Sequence, residues 1–131
     1  TAEAKSIPLV QEMARQNGDA HYIVARKGRK LYMDNPICVG VKSITTEKDQ
    51  KLYVDQEEME QMRGKRILIV DDVISTGRSL QALEEIAAAA GADVVGKMAV
   101  LAEGDAASRT DISYLEKLPL FNGKGEPLPF D

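Results

Sequence analysis

The chain is predicted to be an α/β protein with a mainly parallel central sheet flanked by helices. Two observations predict this class. Apolar segments with strand character alternate along the chain with segments of helical periodicity. Two of the apolar runs, RILIVD and DVVGKMAVLAE, are rich in β-branched residues, as in strands that are covered on both faces.

The first predicted helix is SIPLVQEMARQNGD. Ser6 is a candidate N-cap, Pro8 suits the first turn, and Gly18 suits the end. HYIVAR is then predicted to be a short strand, and KGRKLYMDNP a loop because of its glycine and proline. ICVGVKSI and KLYV are predicted to be strands on either side of the polar loop TTEKDQ. The apolar side of the helix consists of Ile7, Val10, Met13 and Ala14.

The second half of the chain holds the clearest patterns. Asp55 is predicted to cap a short acidic helix, QEEMEQM. RSLQALEEIAAAAGA is predicted to be a helix that Gly91 ends. A short strand near Leu118 to Phe121 is expected before a tail rich in glycine and proline. The apolar stripe of the long helix consists of Leu80, Leu83, Ala87 and Ala90.

Composition limits the class of protein. A chain of 131 residues, 44 % of them apolar, is predicted to form one globular domain over residues 1–131. A net charge of -4 argues against a general nucleic-acid binder, and no stretch is long and apolar enough to span a membrane. The single cysteine, Cys38, excludes an internal disulfide and favours a reducing compartment, which we expect to be the cytoplasm. We expect Cys38 itself to be a small core residue.

The segment ILIVDDVISTGRS carries the strongest functional signal. Asp71 and Asp72 are expected at the carboxyl end of a strand, where α/β sheets place their ligands. Carboxylates accept hydrogen bonds from ribose hydroxyls and ligate Mg²⁺ or its waters. The hydroxyl-rich turn that follows enters a helix N-terminus, which favours a phosphate. The pattern therefore predicts a ribose 5-phosphate site, and the alternative is an ordinary turn before a capped helix.

This segment resembles the phosphoribosyl-pyrophosphate (PRPP) signature of the type I phosphoribosyltransferases. The resemblance implies that Asp71 and Asp72 are catalytic, bind the ribose hydroxyls and contact Mg²⁺ indirectly, through water or PRPP. The usual pattern has a second glycine and a threonine where this chain has Arg78 and Ser79. The implied 5-phosphate residues are Ser75, Thr76, Gly77, Arg78 and Ser79.

Two further segments resemble the pyrophosphate-binding parts of this family. TAEAKSIP is similar to the first pyrophosphate loop of xanthine and adenine phosphoribosyltransferases, and VARKGRKLYM to a basic segment of the adenine enzymes. The alternatives are an ordinary helix start and a solvated basic loop. The pyrophosphate-binding residues that the resemblance implies are Lys5, Ser6, Arg26, Lys27 and Lys30.

The segment VKSITTEKDQKLYV takes the place of the mobile loop that closes over the family's active site. Its candidates for closed-state contacts are Ser43, Thr46, Glu47 and Lys48, within residues 43–50. Closure would exclude water, which otherwise hydrolyses PRPP. Glu47 is a candidate catalytic acid or base at the purine. A plain hairpin turn accounts for these residues equally well.

The predicted function is transfer of phosphoribose from PRPP to a purine base, with release of pyrophosphate. Adenine is the favoured base, by resemblance only, and the family implies Mg²⁺ as cofactor and a homodimer, with no nucleic-acid or membrane partner. Family members also have a strand before the first pyrophosphate loop, and often a base-binding hood. Both would lie upstream of Thr1, so we expect an N-terminally truncated chain, a processed product or one of two pieces.

Two alternatives belong to other classes. A response-regulator receiver domain also begins with an apolar strand and an acidic pair. It needs a later phosphoacceptor Asp and a Lys, for which Glu103, Asp105 and Lys117 are poor candidates. A PRPP-sensing domain of a purine-metabolism regulator would keep the fold without the reaction. The basic segment and the mobile loop favour the enzyme.

Overall fold

A computed structural model describes residues 1–41 and 50–130 of the chain. The helices are α1 (Ile7–Asn17), α2 (Gln56–Met62) and α3 (Arg78–Ala90). The strands are β1 (Ile37–Val41), β2 (Gln50–Val54), β3 (Arg66–Ile74), β4 (Asp93–Glu103) and β5 (Ser113–Leu118), with a 3₁₀ turn over Gly104–Ser108. Apart from the strand predicted at HYIVAR, the helices and strands follow one another in the order that the sequence predicts.

The central sheet contains β3, β4 and β5 in that order, and both pairs are parallel. Val70 is paired with Met98, and Met98 in turn with Ser113. β1 and β2 form a separate antiparallel pair. The predicted α/β class with a mainly parallel sheet is confirmed, and the hairpin adds an antiparallel part.

Helix α3 joins the two sheets through one apolar stripe. All four predicted stripe residues, from Leu80 to Ala90, are buried. Small side chains on the facing strand, Ala99 and Ala102, let the helix approach the sheet closely. Val54 of β2 is fully buried in the same core. The helix that begins at the hydroxyl-rich turn is therefore anchored in the core by its apolar stripe.

The helix ends agree with the sequence pattern in three cases out of four, one of which is Gly18, which ends α1 in the left-handed conformation with φ of 76°. Gly91 ends α3 in the left-handed conformation, with φ of 73°. Asp55 caps α2, and Glu58 completes a capping box. Ser6 stands at the N-cap of α1, but its side chain makes no capping hydrogen bond. Ser6 has other partners, which are described with the site.

Four expectations are wrong. HYIVAR forms no strand, because its strand-like pairing is limited to two isolated bridges, at Ala25 and Arg26. The tail strand ends at Leu118 instead of beginning there. Cys38 is exposed, because side chains alternate along β1 and its neighbours on either side face the core. β3 is not covered throughout, since Leu68 is 42 % exposed.

Among residues 1–41 and 50–130, no helix is both long and apolar enough to cross a membrane.

Candidate active site

The acidic pair lies in the last third of β3, at the carboxyl end of the sheet. The strand runs two residues past the pair, to Ile74, because Val73 and Ile74 still pair with β4. Asp71 and Asp72 are both half-buried. The pair therefore lies within the strand, slightly before the point that the sequence predicts.

A hydroxyl from the other end of the chain contacts this pair. Ser6 Oγ donates to Asp71 Oδ1 at 3.2 Å, and the same oxygen accepts the amide of Asp72 at 2.9 Å. Ser6 is only 1 % exposed, and its Oγ also lies 2.7 Å from Thr1 Oγ1. Ser6 thus ties residues 1–6 to the acidic pair instead of capping α1.

The environment makes Asp71 an unusual carboxyl group. Burial raises the pKa of Asp71 to about 6, and the adjacent Asp72 carboxyl adds to the rise. The hydrogen bond from Ser6 opposes it. A carboxyl group with such a raised pKa is stabilised in its charged form by hydroxyl donors or by a cation. Ribose hydroxyls or the waters of Mg²⁺ are groups of this kind.

The turn after β3 and the start of α3 enclose a small cavity of about 100 Å³. Gly77 precedes the helix in the left-handed conformation, with φ of 81°. The first amides of α3 have no partner within the helix, and its dipole favours an anion there. The cavity is lined by Asp71, Val73, Ile74, Ser75, Thr76, Gly77, Arg78, Ser79 and Leu80. All five predicted 5-phosphate residues therefore share one cavity with the predicted ribose carboxylate Asp71.

Ser75 has a partner that the sequence does not suggest. Its Oγ donates to Glu103 Oε1 at 2.8 Å, and Glu103 is the last residue of β4. The bond fixes the first hydroxyl of the turn to the adjacent strand. Ser75 thereby holds the turn in place, in addition to any contact with a ligand.

Glu3 gathers three of the predicted pyrophosphate residues, namely Arg26, Lys27 and Lys30. Its Oε2 accepts the amide of Lys27 at 2.9 Å, and its Oε1 lies 3.6 Å from Arg26 and 3.7 Å from Lys30. The Lys27 amide and these cations hold the pKa of Glu3 below its usual value. Ala2 and Ala25 form a parallel bridge beside it. Residues 1–6 therefore contact the acidic pair at one end and the basic segment at the other.

Lys5 is exposed on the same loop. Glu47 and the other candidates from residue 43 to residue 48 lie outside the described residues, so their roles stay predictions. Glu3, Glu103 and Arg109 were missed by the sequence analysis. Glu3 carried no local signal, because the cations that it contacts lie 23 to 27 residues away in the sequence. Glu103 and Arg109 carried none, since each contacts a turn about thirty residues away in the sequence.

The carboxylates of Asp71 and Asp72 suit a Mg²⁺ ion that would arrive bound to PRPP. Among the described residues, no group of three or more His, Cys, Asp or Glu side chains is placed to hold a metal ion. Mg²⁺ commonly keeps several waters and takes one or two carboxylates plus substrate phosphates. Asp71 and Asp72 would hold its waters, and the ion would neutralise the pyrophosphate charge.

Comparisons with known proteins show the family to which the chain belongs. Residues 3–119 match the family model described as "Phosphoribosyl transferase domain". The chain is 35 % identical over 109 residues to the hypoxanthine/guanine phosphoribosyltransferase of Methanococcus voltae, covering 83 % of this chain and 54 % of that protein. It is 29 % identical over 97 residues to the xanthine phosphoribosyltransferase of Bifidobacterium adolescentis, covering 73 % and 49 %.

A similar fold occurs in the adenine phosphoribosyltransferase of Thermoanaerobacter pseudethanolicus. The TM-score is 0.74 at 20 % sequence identity, over 89 % of this chain and 67 % of that one. The chain thus spans about half to two thirds of the length of these proteins. Because the family match covers most of the chain and includes the acidic pair and the turn after it, the chain belongs to the phosphoribosyl transferase domain family.

Proposed function

We propose that the protein transfers phosphoribose from PRPP to a purine base. The observation that carries the proposal is the shared cavity of Asp71 and residues 75–79, joined by Ser6 to the loop that gathers the basic segment. A ribose carboxylate, a phosphate turn and a cationic loop in one continuous site correspond to the three charged or polar parts of PRPP.

The proposed reaction breaks the bond between C1′ and pyrophosphate and forms a bond from C1′ to a purine nitrogen. Positive charge develops on the ribose ring, so the protein acts mainly by positioning and by electrostatics. Asp71 and Asp72 hold the ribose hydroxyls, and residues 75–79 hold the 5-phosphate. Arg26, Lys27 and Lys30, with Lys5 and Ser6, stabilise the departing pyrophosphate. Glu47 is the proposed acid or base at the purine.

We place the base in a second cavity, of about 240 Å³, between the 3₁₀ turn and the tail. Gly104 and Asp105, which follow the carboxyl end of β4, form one side. Leu120, Leu128 and Phe130 form an apolar side that suits a planar ring.

Adenine stays the predicted base. Hypoxanthine, guanine and xanthine are the alternatives, because they appear in the names of relatives at 29 % and 35 % identity. The solved adenine enzyme supports the fold alone at 20 % identity.

A homodimer in the cytoplasm is part of the proposal. Leu31 is fully exposed and Tyr32 is 62 % exposed, both next to the basic segment. Apolar side chains in such positions favour contact with a second copy, which sedimentation velocity tests.

The test is pyrophosphate release from PRPP and Mg²⁺ with adenine, guanine, hypoxanthine or xanthine in separate reactions. We expect release with at least one base. Asp72→Asn should lower the rate by roughly a hundredfold or more, because it removes a charge to which the proposal assigns the ribose hydroxyls. The matched control is Asp93→Asn, an exposed carboxylate at the opposite end of the sheet, which should keep the wild-type rate.

Other outcomes contradict the proposal. An unchanged rate in Asp72→Asn would remove the role assigned to this residue. If no pyrophosphate is released with any of the four bases, and the protein binds PRPP in a way that Asp72→Asn abolishes, the PRPP-sensing domain is favoured instead.

A further inference from the structure

Arg109 lies directly against the phosphate turn, and the proposed reaction does not use it. A methyl group added at Gly77 would be 2.5 Å from Arg109 Nη1, too close for any real contact. The guanidinium therefore covers the glycine that precedes α3. Arg109 follows the 3₁₀ turn after β4, so it reaches the phosphate turn from a distant part of the chain.

The guanidinium is held in one orientation by a bidentate pair. Its Nε donates to Asp111 Oδ1 at 2.8 Å, and its Nη2 donates to Asp111 Oδ2 at 2.6 Å. This pairing holds the pKa of Asp111 well below its usual range, so both partners stay charged at neutral pH. Two of the three nitrogens face Asp111, and Nη1 faces Gly77. A planar fork fixed in this way has little freedom left to lose when a ligand binds.

The same network reaches the helix that begins at the turn. Asp111 Oδ2 also lies 3.3 Å from Lys97 Nζ of β4. Lys97 in turn forms a 2.5 Å ion pair with Glu84 of α3. The residues that orient Arg109 are thus attached to the central sheet and to α3. A shift of the turn relative to α3 would have to disturb this network.

We propose that Arg109 is a positioning residue for the 5-phosphate turn. Its guanidinium packs on Gly77 and keeps residues 75–79 in the shape that binds phosphate before the ligand arrives. Its fixed positive charge beside the turn also attracts a dianion. The inference rests on the proposed function, because the phosphate that the turn holds is that of PRPP.

The chain offers a matched control at the other end of α3. Gly91 ends the helix, and Arg63 packs on it, with Cγ 3.8 Å from a methyl group added there. Arg63 is also paired with a carboxylate, Glu60, at 2.7 Å. Arg63→Gln therefore makes the same chemical change as Arg109→Gln, against the same helix, far from the turn.

The experiment measures ribose 5-phosphate binding by calorimetry, at two salt concentrations, with circular dichroism as a check on folding. Arg109→Gln should weaken binding about tenfold and reduce its salt dependence. Asp111→Asn should weaken it about threefold, because it frees the guanidinium without removing its charge. Arg109→Lys should fall between Arg109→Gln and the wild type. Arg63→Gln should bind as the wild type does.

The readouts separate this proposal from the function on which it rests. A wild type that does not bind ribose 5-phosphate overturns both. Wild-type binding that persists unchanged in a folded Arg109→Gln overturns the positioning role alone. If Arg109→Gln does not fold, wild-type affinity in Arg109→Lys and Asp111→Asn overturns it. In the pyrophosphate assay, Arg109→Gln should raise the KM for PRPP and leave kcat near the wild-type value. A general packing defect would instead lower both kcat and stability.

Discussion

Helices α2 and α3 begin in opposite ways. At α2, the Asp55 side chain accepts the amide of Gln56 at 2.8 Å, and Glu58 Oε1 accepts the amide of Asp55 at 3.4 Å. At α3, the N-cap is Gly77, which has no side chain to accept an amide. The start of α2 is therefore capped by carboxylates of the helix's own first residues, and the start of α3 is open toward a cavity.

The difference shows how one physical property serves two purposes. Every helix N-terminus has amides without partners and a positive dipole end. Where a carboxylate of the chain accepts these amides, as at Asp55, it stabilises the helix. Where a glycine and a cavity stand instead, as at Gly77, the same property is available to a ligand phosphate. Changes at α3 should therefore alter binding, and changes at α2 should alter stability.

Of the changes at the two helix starts, Gly77→Ala has the largest expected effect, because it fills the open start of α3. An alanine in the left-handed conformation costs about 1–2 kcal/mol, and its methyl group would also collide with Arg109. Ribose 5-phosphate affinity, measured by calorimetry, should fall roughly ten- to a hundredfold. Gly91→Ala is the control, because it has the same backbone strain at the closed end of α3 and should lower only the melting temperature. Equal losses of affinity in the two variants would contradict the assignment.

The next prediction concerns pH, and it follows from the pKa of Asp71, raised from 3.8 to about 6 by burial and by Asp72. Between these two values the folded state binds more protons than the unfolded state, so stability falls as pH rises through this window. Asp71→Asn should remove this part of the decline and should be more stable than the wild type above pH 6.

Denaturant unfolding at a series of pH values measures the free energy of unfolding of both proteins. Burial also raises the pKa of Glu58, so the relevant quantity is the difference between Asp71→Asn and the wild type. Parallel curves for the two proteins would show that Asp71 does not titrate in this range.

The smallest expected effect is from Asp55→Ala, which opens the closed helix start. Loss of the cap should lower the free energy of unfolding by about 1 kcal/mol. Ribose 5-phosphate affinity should not change, because α2 does not contribute to the cavity. Reduced affinity at unchanged stability would break the distinction between the two helix starts.

Much of the site could be predicted because its signals are local. The apolar run of β3, the acidic pair, the hydroxyl turn and the stripe of α3 lie within 25 consecutive residues, from Arg66 to Ala90. Strand, turn and helix preferences act over such distances, so the pattern predicts both the elements and the chemistry at their junction. The cap at Asp55 was predictable for the same reason.

Other features depend on contacts between distant residues. Ser6 has the sequence position of an ordinary cap, but its hydroxyl donates to the half-buried Asp71, 65 residues away, and caps no amide of α1. HYIVAR has the composition of a strand, but a strand also needs paired neighbours along its length, and this segment forms bridges at only two residues.

By itself, the sequence determined the α/β class, the position of the acidic pair and the turn that follows it, since these follow from periodicity and from backbone preference at glycine. Only the tertiary structure decided which groups meet there. It brought Ser6 to Asp71, Glu3 to the basic segment, Glu103 to Ser75 and Arg109 to Gly77. The physical reason is that a hydrogen bond or an ion pair depends on distance in space, and a single sequence records only distance along the chain.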